Sequence, residues 1–180
     1  MEVINMIDMK QIFLITDIPG YSPQISRLLS MMNYARFTTL EEVKDLSVQE
    51  LDFLVDSKSN SIGALLSHFA AVEYAYQVGT FKKRGLNEEE TAIWGPALSL
   101  GEEGRNKIKG NELSYYTDQL QAVRQRTYEL FKTVTDEWLY TEEEFWAQQQ
   151  ANYYFMWFHV FEDEINHRGQ IRMIRKRMDI

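Results

Sequence analysis

The chain has 180 residues, enough for one domain with a substantial core, and its 44% hydrophobic and 26% charged content excludes disorder. A net charge of −8 argues against general nucleic-acid binding, which needs a basic face, and the absence of cysteine excludes disulfides, thiolate ligands and a thiol nucleophile. The lack of cysteine suits a reducing cytoplasm, the opening M-E-V-I-N-M-I-D-M-K lacks the order of a signal peptide, and no run approaches the roughly 18 apolar residues that a membrane helix needs.

Periodicity predicts four long helices. The first opens at Y-S-P-Q-I, with Ser22 as N-cap and Pro23 at the first helical position. Ile25, Leu28, Leu29, Met32 and Ala35 keep helical spacing along it. A short helical turn begins at Ser47, which is spaced with Glu50 as a capping box. The second long helix covers roughly 61–78, with an apolar face of Leu65, Leu66, Phe69, Val72 and Tyr76, preceded by Ile62. His68 stands at the edge of that face, in line with Ala64, Ala71 and Ala75. Small residues there let a neighbouring helix approach and leave a pocket around the imidazole. Taken alone, His68 is either a satisfied core histidine or a ligand.

Residues 85–110 carry five of the nine glycines and one of the three prolines, which predicts an irregular connector rather than a helix. Long loops of this kind often carry function; Trp94 within it is either a rim residue over a cleft or a plug that pins the loop. The third long helix spans roughly 113–134, with Leu120, Val123, Thr127, Leu130 and Val134 in steps of three and four. The fourth covers roughly 148–178. No alternating segment of useful length appears, apart from an ambiguous 12–15. The expected class is all-α: a single domain over 1–180, built as an up-down four-helix variant with a long connector between the second and third helices.

The fourth helix holds the densest signal, F-H-V-F-E-D-E-I-N-H-R-G-Q-I. Steps of four advance about 40° around a helix, so His159, Asp163 and His167 share one face with Met156, Val160, Ile171 and Ile174. An imidazole–carboxylate–imidazole column in an apolar stripe must be paired or bound to something. A divalent metal answers that need, because imidazole and carboxylate suit zinc, nickel, iron or manganese. Only three histidines occur in the chain, and two are in this segment. Tyr154, Phe158, Phe161 and Ile165 form a second apolar stripe, which calls for a second neighbour or another subunit. Arg168, Arg172, Arg175, Lys176 and Arg177 read as cations near a helix C-terminus.

The run S-I-G-A-L-L-S-H-F-A-A-V-E around His68 resembles the DinB/YfiT-like superfamily. So do the opening I-P-G-Y-S-P with L-L-S-M-M-N-Y-A-R, and I-N-H-R-G-Q-I with a ligand-type residue four positions before its histidine. The likeness covers about 18–178. It implies a four-helix bundle of up-down-down-up type holding one divalent metal on three side chains, often as a homodimer. The family's ligands, one histidine on the second helix and an H-x-x-x-H pair on the fourth, fall on His68, Asp163 and His167. Asp163 stands where the family usually has its middle histidine, which changes the site's charge by one unit and bears on the preferred metal. Zinc or nickel is expected, with iron or manganese as alternatives. His159, one turn earlier, is the alternative ligand, or a group that hydrogen-bonds a ligand. Glu164 points about 100° away from Asp163 and is a weaker candidate.

Three protein ligands leave open positions, as in catalytic sites. Some relatives are thiol-dependent transferases or isomerases and others metal-dependent hydrolases. The implied function is therefore a metal-dependent enzyme of thiol S-transferase or hydrolase type, acting with a low-molecular-weight thiol or another small molecule. The alternative is a non-catalytic, stress-related dimeric module with a structural or degraded metal site. No serine–histidine–acid set, phosphate-cradling loop or nucleotide fingerprint competes.

Overall fold

The computed structural model describes residues 9–178. In chain order these form α1 (Pro23–Val43), a single turn α2 (Val48–Leu51), α3 (Ile62–Lys82), α4 (Glu88–Ser99), α5 (Gly101–Lys107), α6 (Leu113–Phe131), the strands β1 (Glu142–Glu144) and β2 (Gln150–Asn152), and α7 (Tyr153–Arg175). The class is all-α, with one antiparallel hairpin that pairs Glu142 with Asn152 and Glu144 with Gln150. Among the described residues, no helix is long and apolar enough to cross a membrane.

Local signals account for most helix starts. Ser61 caps α3 by accepting from the Ala64 N–H at 3.1 Å, and Asn152 caps α7 by accepting from the Phe155 N–H at 2.8 Å. The box at Ser47 and Glu50 forms around α2. Ser22 and Pro23 do begin α1, but the Ser22 hydroxyl is turned to Asp136 instead of capping. The Asp136 carboxylate takes that role, accepting from the N–H groups of Gln24 at 2.9 Å and Ile25 at 3.3 Å.

Three elements differ from the sequence expectation. The connector is helical, because Asn87 and Glu90 cap α4 reciprocally at 2.8 and 2.9 Å and Glu88 to Glu90 favour its N-terminal dipole. Its glycines mark boundaries and close packing: Leu100 and Gly101 turn the chain at φ of 53° and 58°. A Cβ on Gly104 would stand 3.2 Å from the Pro96 carbonyl, so glycine lets α5 fold back on α4. Trp94 is a plug, stacked on Tyr74 of α3 at 5.1 Å. The fourth long helix starts at Tyr153, not near 148, because the hairpin consumes the residues before it. The segment 12–15 forms no strand.

The core has two apolar clusters. One gathers Leu28, Leu29 and Met32 of α1 with Phe131, Trp157 and Phe161, and the other gathers Leu65 and Leu66 of α3 with Tyr116, Leu120 and Ile171. On each of the four long helices a buried charge lies between residues of the two clusters: Arg36 on α1, Glu73 on α3, Arg124 on α6 and Glu164 on α7. Arg36 Nε donates to Glu164 Oε1 at 3.0 Å and its Nη2 to Glu73 Oε2 at 3.3 Å. Arg124 donates to Glu73 Oε1 at 2.7 Å and Oε2 at 3.1 Å, and the Thr127 hydroxyl adds a bond at 2.7 Å. Two arginines and two glutamates leave the cluster neutral, so each of its four charges has a counter-charge beside it.

The outer faces also depart from expectation. Phe161 is buried and Tyr154 half-buried, its hydroxyl donating to Gln24 at 3.2 Å. Of the expected second stripe, only Phe158 and Ile165 stay exposed, at 42% and 40%. The arginine row reaches across to α1 as well as lying near a C-terminus. Arg168 donates to the Ala35 carbonyl at 3.2 Å and Arg172 to Glu42 at 2.7 Å.

Burial pushes the Glu73 carboxyl up, but Arg124 and Arg36 outweigh it and hold its pKa below the ordinary value. Its stabilisation is therefore complete above the unfolded carboxylate range and lost as pH falls through the folded value. Glu73→Gln should cost about 3–5 kcal/mol in denaturant unfolding at pH 7, because it leaves buried arginine charge unpaired. The gap from wild type should narrow as pH falls; a loss of less than about 1 kcal/mol, the scale of an exposed pair, would show that the cluster does not hold the helices.

Candidate metal centre

Asp163 and His167 are one turn apart on α7, so their side chains meet on one face whatever the tertiary structure. His68 reaches them because α3 packs against α7. The Nε2 atom of His68 stands 3.3 Å from Asp163 Oδ2, and that of His167 3.4 Å from Asp163 Oδ1. The two imidazoles sit edge to face, 5.0 Å between centroids. One nitrogen or oxygen from each of the three residues lies within 4.8 Å of the others, close enough to share one ion.

The orientation of His68 comes from the connector. Its Nδ1 is 2.8 Å from the carbonyl of Ala97, in the last turn of α4. A carbonyl only accepts, so Nδ1 carries the proton and donates it. The contact satisfies one of the four carbonyls that a helix C-terminus leaves without internal partners. Nε2 of a neutral His68 is then a lone pair facing a carboxylate oxygen, and two acceptors at 3.3 Å repel unless a proton or a cation lies between them. Asp163 Oδ2 and His167 Nδ1 are buried without a hydrogen-bond partner. Buried polar atoms are seldom left so. Two imidazoles, one carboxylate and these unmet atoms fit a divalent cation.

The electrostatics agree. Burial pushes the Asp163 carboxyl up, but the flanking His167 and His68 imidazoles prevail and hold it well below the usual carboxylate range. The hydrogen bond to Asp163 raises the His167 pKa, against the opposing effect of burial. Burial, and then the charge of Asp163, raise the Tyr76 phenol, which keeps its proton.

Of the four residues singled out in sequence, the structure brings three together. His159 shares the helix face but lies a turn away and pairs elsewhere, its Nδ1 3.1 Å from Glu162 Oε2. Its ring contacts Tyr76 at 6.0 Å and Trp146 at 4.9 Å. Glu164 is committed to Arg36. Sequence reasoning missed Ala97, because a backbone acceptor leaves no trace in residue type, and the segment that presents it reads as loop. It also missed the buried quartet, whose partners are far apart in the chain.

A family described as MST: Mycothiol-S-transferase matches residues 27–180, which include all three converging side chains. No curated protein matches the chain.

The geometry makes the donor set testable. Protein purified without chelator should carry one divalent ion per chain, lost in His68→Ala and His167→Ala. Asp163→Asn should weaken zinc binding at least about tenfold, the scale on which even outer partners of a ligand act. His159→Ala should leave the metal content unchanged. Unchanged occupancy in Asp163→Asn, with loss in His159→Ala, would transfer the third ligand to His159.

Proposed function

The chain belongs to the mycothiol-S-transferase family, and from that premise we propose that it joins a low-molecular-weight thiol to an electrophile at a divalent-metal centre held by His68, Asp163 and His167. The observation that carries this reading is His68 Nε2, aimed at Asp163 Oδ2 while its other nitrogen is bound to Ala97. Zinc or nickel suits two imidazoles and a carboxylate, and iron or manganese accepts the same donors. When bound, such an ion lowers the pKa of a thiol so that thiolate is present at neutral pH.

The residues of the chain supply the rest. The Ala97 carbonyl keeps the His68 proton on Nδ1 and Nε2 free as a donor atom. Asp163 stays ionised and contributes the one negative charge of the set. Three protein donors leave coordination positions open to substrate. The chain has no cysteine, so the sulfur comes from a cosubstrate: its S–H proton passes to solvent, and its S–C bond forms as the electrophile's bond to its leaving group breaks, releasing halide from an alkyl halide. A hydrolase would use the same residues with water as nucleophile, and family membership favours the thiol. In this reading α1, α3, α6 and α7 are the DinB-like bundle of up-down-down-up type, and two copies associate through Phe155, Phe158 and Ile165, exposed on α7 at 46%, 42% and 40%.

Metal-loaded protein should conjugate mycothiol to a fluorogenic alkyl halide. Chelation should abolish turnover, and zinc or nickel should restore it. Asp163→Asn should lower kcat/KM at least about tenfold. Metal-dependent cleavage of ester or amide substrates without any thiol would reassign the chain to the hydrolases. Metal-free protein as active as loaded protein would refute the centre altogether.

Assembly is tested separately by light scattering, which should give twice the 21.3 kDa chain mass at micromolar concentration. Phe158→Glu should shift the protein to monomer, and a wild type already at 21.3 kDa contradicts the dimer.

A further inference from the structure

Joining a thiol to an electrophile sheds a proton, and the three converging side chains have no place for it. His68 already carries its proton on Nδ1, where the Ala97 carbonyl accepts it. Asp163 stays ionised between two imidazoles, and Nδ1 of His167 is buried away from solvent. Tyr76 keeps its own proton, and Glu164 is bound to Arg36. The next basic group on the same face of α7 is His159, four residues before Asp163 and so about 5–6 Å from it between Cβ atoms.

His159 is held as a base would be. Its Nδ1 lies 3.1 Å from Glu162 Oε2, and the other Glu162 oxygen accepts from the Asn166 side-chain amide. A carboxylate only accepts, so Nδ1 carries the proton and Nε2 is left as a lone pair. Among the described residues, the bond to Glu162 is the one hydrogen bond of this ring. Four aromatic rings fix its plane: Trp146 edge-on at 4.9 Å, Tyr76 at 6.0 Å, Phe145 at 6.4 Å, and Phe155 parallel to it at 6.4 Å. Trp146 is carried there by the turn between β1 and β2, in which Ala147 and Gln148 have φ of 51° and 61°. Neither is glycine, so the backbone is strained where it sets a ring against His159. Tyr76 links this group to the metal centre, since its ring meets His159 while its phenol feels the charge of Asp163. The His159 side chain is 18% exposed, which gives a proton a way out.

We propose that His159, kept in one tautomer by Glu162 with Asn166 behind it, is the base that takes the S–H proton of the cosubstrate. This rests on the thiol-transferase reading and adds the proton acceptor that the three donors lack. The thiol gives its proton to Nε2 and becomes a thiolate. A sulfur lone pair then forms the S–C bond as the electrophile's bond to its leaving group breaks, and the imidazolium passes its proton to solvent. Glu162 and Asn166 are positioning residues. The titratable groups around the ring are Glu162 and, one turn on, Asp163 of α7, with Tyr76 of α3; the hairpin faces it with Phe145 and Trp146.

The test titrates full-length, zinc-loaded protein with mycothiol at pH 7, by calorimetry in buffers of different ionisation enthalpy, which counts the protons released. Wild type should release about one proton fewer than His159→Gln, because the base retains it. Zinc content should be the same in both. In His159→Gln kcat/KM should fall about a hundredfold, and in His159→Gly free imidazole should restore part of the loss. Nitrogen chemical shifts should show the wild-type ring protonated on Nδ1, and mixed between its two nitrogens in Glu162→Ala. Equal proton release by wild type and His159→Gln overturns the base and leaves the transferase reading intact, as does a wild-type ring protonated on Nε2. Zinc lost in His159→Gln also overturns it, since His159 would then be a ligand. Wild-type protein that binds no mycothiol removes the transferase reading, and the base with it.

Discussion

The buried quartet of Arg36, Glu73, Arg124 and Glu164 is the constraint on which the rest of the structure depends, because each of the four long helices contributes one member. Apolar side chains tolerate sliding by a fraction of a turn; a carboxylate between two guanidinium groups does not, since each misplaced bond leaves a charge in a dry interior. Registry is the best-attested use of such groups, and here the registry matters for a specific reason. Glu73 lies five residues after His68 on α3, and Glu164 is the residue after Asp163 on α7. The contacts that set those two helices against each other therefore also set the distance between His68 and Asp163. Neighbouring acids on α7 thus have opposite tasks: Glu164 turns inward to Arg36, and Asp163, 100° around the helix, turns to the imidazoles.

The connector between α3 and α6 takes part in the site instead of merely closing the chain. Its position is over-determined: Trp94 stacks on Tyr74, the Tyr74 hydroxyl donates to Glu90 at 3.0 Å, and the Gly101 N–H donates to Asn60 at 3.0 Å. Those contacts bring the end of α4 onto His68, so a carbonyl left over by one helix settles which nitrogen of an imidazole on another is available. Asn60, which holds the start of α5, belongs to the loop before α3 and so ties the connector to that loop.

Much of this was legible in the residues. Helical spacing located α1, α3, α6 and α7, and the capping box at Ser47 and Glu50 follows from local hydrogen bonding alone. The Asp163–His167 pair is a consequence of i, i+4 geometry, and small residues around His68 foretold a close neighbour. The connector was misread because glycine was counted as a breaker, whereas Gly104 serves packing and Gly101 a boundary; only the reciprocal cap of Asn87 and Glu90 betrays the helix. The start of α7 was misplaced because a three-residue strand pair has almost no periodicity of its own.

The sequence by itself determined what depends on near neighbours: that the four long helices coil, which face of α7 carries His159, Asp163 and His167, and that no thiol chemistry can come from the chain. The tertiary structure decided everything that depends on partners far along the chain. It chose His68 over His159 as companion of Asp163, turned Ser22 away from its cap in favour of Asp136, buried Phe161 while leaving Phe158 exposed, and gave His68 its tautomer through Ala97. The physical reason is common to all of these. Local geometry fixes the direction of a side chain relative to its own helix, but its partner, its burial and its protonation depend on how the helices are set against one another, and in this protein that setting rests on charges that find their counterparts only after the chain has folded.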